Sequence, residues 1–359
     1  MQICAERGPP GLDAGALLQA WPTTVLVAEA AAAAGAAVQV VLHHEQAQQF
    51  RQRGVDYHFL PLAGAVPSAA LSALLKPAGP DLLHVHGLHF GSLAHTLAGL
   101  FPQRPLLLQH HAGRPARRPL GWWRMRRALA PAHGLLFCSA EQARPFARWR
   151  LLPRGCRVYE VPESTAVFRP QHPEPRLAGD PALLWVAHLN ANKDPLTVLD
   201  GLALALPRLP GLQLWMCFRD APLLAAVQAR IARGPLAGRV HLLGPQPAAR
   251  VEQLMSAADL FVQGSHEEGS GYSLIEALAC GLTPVVSDIP SFRALAGGCA
   301  SARLWPVADA AALADALVAA AAMPAEARCA AALVHFEQQL SPAALGRRLC
   351  AVYADALAS

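Results

Sequence analysis

The chain is 359 residues long, 53% hydrophobic and 15% charged, with a net charge of +5. That is the size of about two ordinary domains, and the composition excludes a disordered chain or an acidic tail. A pI near 8.9 would suit a nucleic-acid partner, but no zinc finger, basic zipper, aromatic RNA-binding signature or basic helix-turn-helix accompanies it, so no nucleic acid is expected.

In the first half, short apolar runs at 38–42, 82–86, 105–109, 134–138 and 157–161 read as strands. Helical stretches at 28–36, 92–100 and 141–147 fall between them. Such alternation is the signature of βαβ units on a parallel sheet. Residues 168–181 are rich in proline and charge and read as a linker. Beyond it the alternation resumes, with strands at 183–187, 213–217, 239–243, 260–262 and 283–287 and helices at 195–206 and 222–232. The stretch 310–358 reads as nearly all helix. The expected fold class is therefore α/β, with a first domain at 1–168 and a second at 169–359. The last helix is a candidate to return to the first domain. Ligands of such sheets bind beyond the carboxyl ends of the strands.

The chain uses arginine for 28 of its 30 cations; the only lysines are Lys76 and Lys193. Up to Phe168 there are 16 cations against 9 anions, and after it 14 against 16. The eight cysteines are scattered through apolar runs without a CxxC pair. They read as buried thiols of a reducing compartment. No signal peptide or membrane span is expected, which places the protein in the cytoplasm.

The segment Gly264–Gly281 carries the densest chemistry: Glu268-Gly269-Ser270-Gly271-Tyr272 follows a strand and opens a helix on which Glu276 lies. Two glycines let the backbone approach a ligand, and a helix start offers N–H groups to an anion. Carboxylates near that end are expected to be ionised and to accept hydrogen bonds from hydroxyls. A nucleotide sugar needs both features. On spacing alone, a capped core helix with two solvated acids fits equally well.

From Glu268 through Glu276 to Gly281-Leu-Thr-Pro-Val-Val-Ser287, the pattern resembles the E-x7-E signature of family 4 glycosyltransferases, retaining enzymes of the GT-B fold. Trp185-Val-Ala-His-Leu-Asn-Ala-Asn-Lys193 is similar to the family's strand-and-loop segment G-R-x-x-x-x-K, with His188 in place of the arginine. The resemblance implies two Rossmann-like domains facing each other across a cleft. The first would bind the acceptor and the second the nucleotide-sugar donor. It implies that Glu268 holds donor-sugar hydroxyls, Glu276 the ribose, and Gly269, Ser270, Gly271 and Tyr272 the phosphate or sugar. Lys193 would neutralise the diphosphate leaving group, and His111, at a strand end, would serve the reacting sugar. With the titratable His188 in the arginine's place, either Lys193 carries the diphosphate almost alone or an arginine from elsewhere enters, Arg219 being one candidate. Gly11-Leu-Asp-Ala-Gly15 is similar to the family's phosphate-side glycine loop, with Gly15 the matching position. Relatives' G-G-x-x-E stands here as Ile289-Pro-Ser-Phe-Arg293.

The resemblance thus implies a retaining transfer from a nucleoside-diphosphate sugar to a sugar, lipid-linked or small-molecule hydroxyl acceptor, with no cofactor. There is no D-x-D pair, so no metal is expected. His84 and His86, on alternate strand positions and followed by His89, invite a metal reading, although cleft lining or core suits them better. Two competing functions share these residues: a GT-B epimerase or hydrolase acting on the nucleotide sugar, and a non-catalytic nucleotide-sugar-binding subunit. Finally, the stretch 114–127, opening on Arg114 and closing on Arg127, holds six arginines, two tryptophans and a methionine. It reads either as a peripheral contact with the inner membrane face or as a surface helix whose tryptophans cover the core.

Overall fold

A computed structural model describes residues 1–6, 8–9, 11–61, 68–111, 119–171 and 176–359. The chain divides into two compact units, Met1–Ser164 with Pro342–Ser359, and Thr165–Ser341. Part of the expected linker, 172–175, lies outside the described residues.

The first unit is built on an eight-stranded sheet. Its strands are β1 (Gln2–Cys4), β2 (Val38–His43), β3 (Gln48–Gln52), β4 (Val55–Leu60), β5 (Leu83–His86), β6 (Leu106–Gln109), β7 (Gly134–Phe137) and β8 (Arg157–Glu160). They lie in the order β3-β4-β2-β1-β5-β6-β7-β8. All pairings are parallel except β3 with β4. That edge hairpin turns through Arg53 and Gly54, both at positive φ (46° and 80°), the geometry a two-residue turn needs to match strand twist. Buried residues on the two sheet faces form separate cores, one around Val40, Tyr57 and Leu136 and the other around Ile3, Leu83 and Leu108. The C-terminal helix Pro342–Leu357 adds Leu345, Leu349 and Val352 to the first of these. It lies so close to the helix Pro22–Ala33 that a Cβ on Gly346 would fall 2.2 Å from the Ala30 carbonyl oxygen.

The second unit carries β9 (Ala182–Val186), β10 (Gln213–Cys217), β11 (Val240–Gly244), β12 (Leu260–Gln263), β13 (Thr283–Ser287) and β14 (Arg303–Trp305). Their order is β11-β10-β9-β12-β13-β14, all parallel. The strand order reverses between β9 and β12, so the loops leaving these two strands diverge. Such a switch point is where open α/β sheets hold their ligands. Trp185 and Trp305 are fully buried beneath it.

Candidate functional site

Both loops at the switch point of the second unit carry the expected residues. The loop after β9 brings Lys193 to the carboxylate of Glu268 on the loop after β12. Both side chains are largely buried, at 15% and 12% exposure. Glu268 Oε1 also accepts from the Ser265 hydroxyl at 2.6 Å and from Gln263 Nε2 at 3.2 Å. The loops are clasped together beside this pair: His266 N–H donates to the Asn192 carbonyl at 2.8 Å, and Asn192 Nδ2 donates to the Glu267 carbonyl at 2.9 Å. Asp194, at φ 44°, caps the next helix by accepting from Thr197 N–H and also meets His266 Nε2 at 3.1 Å. Lys193 is thus fixed from its backbone outward, since its N–H donates to the Asn190 carbonyl at 3.1 Å.

The helix Tyr272–Ala279 starts from Gly271, whose φ of 69° lies in the left-handed region. A Cβ there would stand 2.7 Å from Leu295 Cδ1, so only glycine fits without displacement. This places Gly269, Ser270 and Gly271 around the helix N-terminus, as the motif requires. Glu276 departs from expectation. It lies past the first turn, where the dipole has faded, and burial pushes its carboxyl up from 4.5 to about 7. Among the described residues no donor hydrogen-bonds it. Near neutral pH it is therefore part-protonated, not held ionised by the helix.

The other expected donor residues are described each within its own unit. His188 is about half exposed, with Nδ1 3.2 Å from Asp220 Oδ2. Its charge, when present, is shared with an acid. Arg219 is exposed and makes no ion pair among the described residues. Gly15 lies in the first turn of the helix Ala14–Ala20, capped by Asp13, which accepts from Ala16 N–H at 2.7 Å.

In the first unit, His111 follows β6. Its Nδ1 is 2.8 Å from Glu163 Oε1 and its Nε2 is 3.1 Å from His86 Nδ1. Burial alone would lower its pKa, but the hydrogen bond and charge of Glu163 outweigh that and raise it. His84 and His86 are buried in the same polar cluster, and among the described residues no group of three or more His, Cys, Asp or Glu is arranged to hold a metal ion. Sequence reading missed Glu163, Ser265 and Gln263. None of the three carried a sign of its own in the sequence; Glu163 follows Glu160 by three residues just beyond β8.

The arginine-rich stretch is described from residue 119 on; Arg114, Arg117 and Arg118 lie outside the described residues. On the helix Pro119–Leu129, Trp122 and Met125 pack against the core while Leu120 and Trp123 stand 61% and 58% exposed. Arg124, Arg126 and Arg127 flank them, and Arg127 lies over the Trp123 ring at 5.3 Å. Trp149, absent from the sequence reading, stacks on Trp122 at 4.3 Å and extends the patch with the exposed Arg144, Arg148 and Arg150. Trp122 thus covers the core, whereas Trp123 stands exposed. Among the described residues no single helix is long and apolar enough to cross a membrane.

Residues 168–330 match the family described as glycosyl transferases group 1, and residues 20–162 match the glycosyl transferase 4-like domain. The chain is similar to the GDP-mannose:cellobiosyl-diphosphopolyprenol alpha-mannosyltransferase of Xanthomonas campestris. Identity there is 27% over 66% of this chain and 61% of the relative. It is 29% identical to the phosphatidyl-myo-inositol mannosyltransferase of Mycobacterium leprae, over 67% and 63%. The match therefore spans a little over three fifths of these relatives' length. Among solved structures, the sucrose-phosphate synthase of Thermosynechococcus elongatus superposes with a TM-score of 0.65 at 19% identity, covering 99% of both chains. An Anabaena protein crystallised with UDP and glucose gives 0.64 at 15% identity, covering 98% and 99%.

Proposed function

Because the chain belongs to family 4 of the glycosyltransferases and has its GT-B fold, we propose that it is a retaining glycosyltransferase. It moves a sugar from a nucleoside-diphosphate donor to a hydroxyl acceptor without a metal ion. The observation that carries this is the Lys193–Glu268 pair, set by two loops at the switch point of the second unit. The ammonium and the carboxylate neutralise each other. A diphosphate takes over the lysine, because it offers more negative charge to a compact cation. Glu268, still steadied by Ser265 and Gln263, is then released to accept from donor-sugar hydroxyls. Lys193 stabilises the charge that develops on the leaving diphosphate.

Glu268 is thereby occupied with binding, Asp194 with capping its helix and pairing with His266, and Glu276 with the ribose. That supports same-face displacement, in which the departing diphosphate takes the acceptor's proton. Glu276 binds the ribose hydroxyls and the backbone from Gly269 to Tyr272 binds the phosphate or sugar. Arg219, exposed at the end of β10, supplies the positive charge that His188 shares with Asp220. Gly15, at the start of its helix, offers a further phosphate contact.

The names of the relatives, with GDP-mannose as donor and a diphosphopolyprenol or phosphatidylinositol acceptor, make GDP-mannose the first donor to test and a lipid-linked phosphorylated acceptor the first class. The exposed Trp123, Leu120 and arginine patch of the first unit suits an anionic membrane surface that would present such an acceptor. The deciding experiment is a thermal-shift comparison of UDP, GDP, ADP and TDP. Labelled GDP-mannose is then followed with and without lipid acceptors, with and without EDTA. Transfer with retained anomeric configuration, insensitive to EDTA, is expected. Epimerised or merely released sugar would move the function to the epimerase or hydrolase class. Donor binding without turnover on any acceptor would identify a binding subunit.

A further inference from the structure

One face of β1, β5 and β6 carries polar side chains where its neighbours carry valine and leucine. Gln2, His84, His86 and Gln109 are all buried there. With Glu163, His111 and Tyr353 they form a chain of contacts. Glu163 Oε1 meets His111 Nδ1 at 2.8 Å, His111 Nε2 meets His86 Nδ1 at 3.1 Å, and His86 Nε2 meets Gln2 Oε1 at 3.2 Å. Gln2 Nε2 donates to the Tyr353 hydroxyl at 3.0 Å, and that hydroxyl lies 2.9 Å from His84 Nδ1. Gln109 Nε2 donates back to Glu163 Oε1 at 3.4 Å. Two atoms remain, His84 Nε2 and Gln109 Oε1, each buried without a hydrogen-bond partner at bonding distance among the described residues. Gln109 nevertheless acts on His84 as an acceptor that favours its protonated form. The chain of hydrogen bonds is thus open at this one place, where His84 Nε2 and Gln109 Oε1 stay unpaired at bonding distance.

Hydrogen parity fixes the direction of this chain of bonds. Gln2 Oε1 can only accept, so His86 carries its hydrogen on Nε2. Burial holds His86 neutral, which leaves its Nδ1 bare and able only to accept from His111 Nε2. The other nitrogen of His111 faces a carboxylate and must also donate. In the other direction, Gln2 donates to the tyrosine and the tyrosine donates to His84 Nδ1, which leaves the His84 hydrogen on Nε2, on the side of Gln109. Burial keeps His84 neutral as well, with its pKa near 3. Every hydrogen bond that is made then runs in one sense, from His111 as far as His84 and from Gln109 to Glu163. The reverse arrangement fails at one place. It leaves His84 Nε2 bare, so Gln109 must turn its amide to meet it, and that sets the Gln109 oxygen against the Glu163 carboxylate.

We propose that Glu163 and His86 are positioning residues that hold His111 as an imidazolium, with Gln2, Tyr353, His84 and Gln109 locking the proton in place. This rests on the reading of His111 as the imidazole that serves the reacting sugar. An imidazolium so held acts there by its positive charge and not as a general base. The other groups around these residues are consistent with it: Glu6 adds attraction, while the Met1 amino group acts on His84 and not directly on His111. Cys138, next to Glu163, stays a neutral thiol, its pKa pushed up by burial.

Nitrogen NMR of histidine-labelled protein tests this without reference to activity, with His111→Asn identifying the signal. The wild-type chain is expected to show hydrogen on both nitrogens of His111 at neutral pH and a titration above the usual histidine range. Glu163→Gln, nearly isosteric, is expected to move that titration to lower pH. Tyr353→Phe, which breaks the chain of bonds far from His111 while keeping the aromatic packing, should move it in the same direction, and it serves as the test if Glu163→Gln does not fold. The alkaline limb of the kcat profile should follow both variants, whereas a merely structural role would leave it in place. A bare ring nitrogen on wild-type His111 at neutral pH, or a titration unmoved in both variants, overturns the proposal. If His111 titrates as described but no donor is turned over, the chain of bonds stands and the glycosyltransferase reading falls.

Discussion

Lys193 and Glu268 are 75 residues apart in sequence, yet the ammonium of one donates to the carboxylate of the other across two loops that leave adjacent parallel strands. Both side chains are largely buried, so each charge relies on the other more than on water. The pair is therefore a largely buried site whose two charges neutralise each other, and on the proposed function a diphosphate competes for the lysine.

Lys193→Ala leaves a largely buried carboxylate without its ammonium partner. Removing one member of a buried pair costs about 3 kcal/mol or more, and the mutant should melt at lower temperature by differential scanning fluorimetry. Its turnover should be abolished. Lys193→Arg should not restore it, because a planar guanidinium cannot occupy the position of a compact ammonium. Glu268→Ala should abolish turnover while leaving nucleoside-diphosphate affinity within a few-fold in calorimetry. Wild-type-like transfer by either alanine variant would remove that residue from the mechanism.

Glu276 gives a pH signature. Its carboxyl titrates near 4.5 when free and at about 7 when folded. Between those values the folded chain keeps a proton that the unfolded chain has released, so stability falls as pH rises through the window. The cost is complete above about pH 7 and is on the order of 3 kcal/mol at most. Glu276→Gln should thus melt higher than wild type at alkaline pH and lose that advantage toward pH 4.5. The same variant should bind nucleoside diphosphate about tenfold more weakly at alkaline pH, where a ribose hydroxyl would otherwise meet a carboxylate. A melting curve indistinguishable from wild type above neutrality would mean the carboxyl is better solvated than its burial suggests.

Much of the fold was legible because central parallel strands are continuous apolar runs, as in Leu183-Leu184-Trp185 or Val285-Val286. The β3–β4 hairpin was not, because Gln48-Gln49-Phe50-Arg51-Gln52 at an exposed edge has neither strand composition nor a buried face. β1 is only three residues long and too short for any periodicity. The loop from Glu268 to Tyr272 was legible from its glycines and acids, since local backbone demands leave local traces. The partners of His111 were not: Glu163 and His86 lie 52 and 25 residues away, and only the sheet register brings them together. Burial decided the protonation of Glu276, and burial has no local code in a chain that is 53% hydrophobic.

Gly271 separates backbone geometry from mere tolerance. Alanine in the left-handed region costs about 1–2 kcal/mol, and at Gly271 it must also displace Leu295. Gly11 is at φ 80° with nothing within 4 Å of a built Cβ, so Gly11→Ala incurs the strain alone. Gly271→Ala should therefore lower the melting temperature more than Gly11→Ala and should also weaken nucleoside-diphosphate binding. If Gly271→Ala loses stability but keeps full affinity, the backbone of this loop does not contact the donor.

The patch on the helix Pro119–Leu129 makes the last prediction. Leu120 and Trp123 expose apolar surface that a membrane interface would cover, each worth on the order of 1–2 kcal/mol. The exposed arginines around them each add about 1 kcal/mol toward an anionic surface, and that part is screened by salt. Wild-type protein should co-sediment with vesicles containing phosphatidylglycerol and much less with vesicles of phosphatidylcholine alone. Trp123→Ala combined with Leu120→Ala should weaken binding by at least tenfold at any salt concentration. Arg126→Gln with Arg127→Gln should instead weaken it mainly at low salt and flatten the salt dependence, because the removed attraction is the screened one. Equal binding by all three proteins would place the membrane contact elsewhere. Transfer to a water-soluble acceptor should be unaffected by the Trp123 and Leu120 changes, because these side chains belong to the first unit's surface and not to the Lys193–Glu268 site.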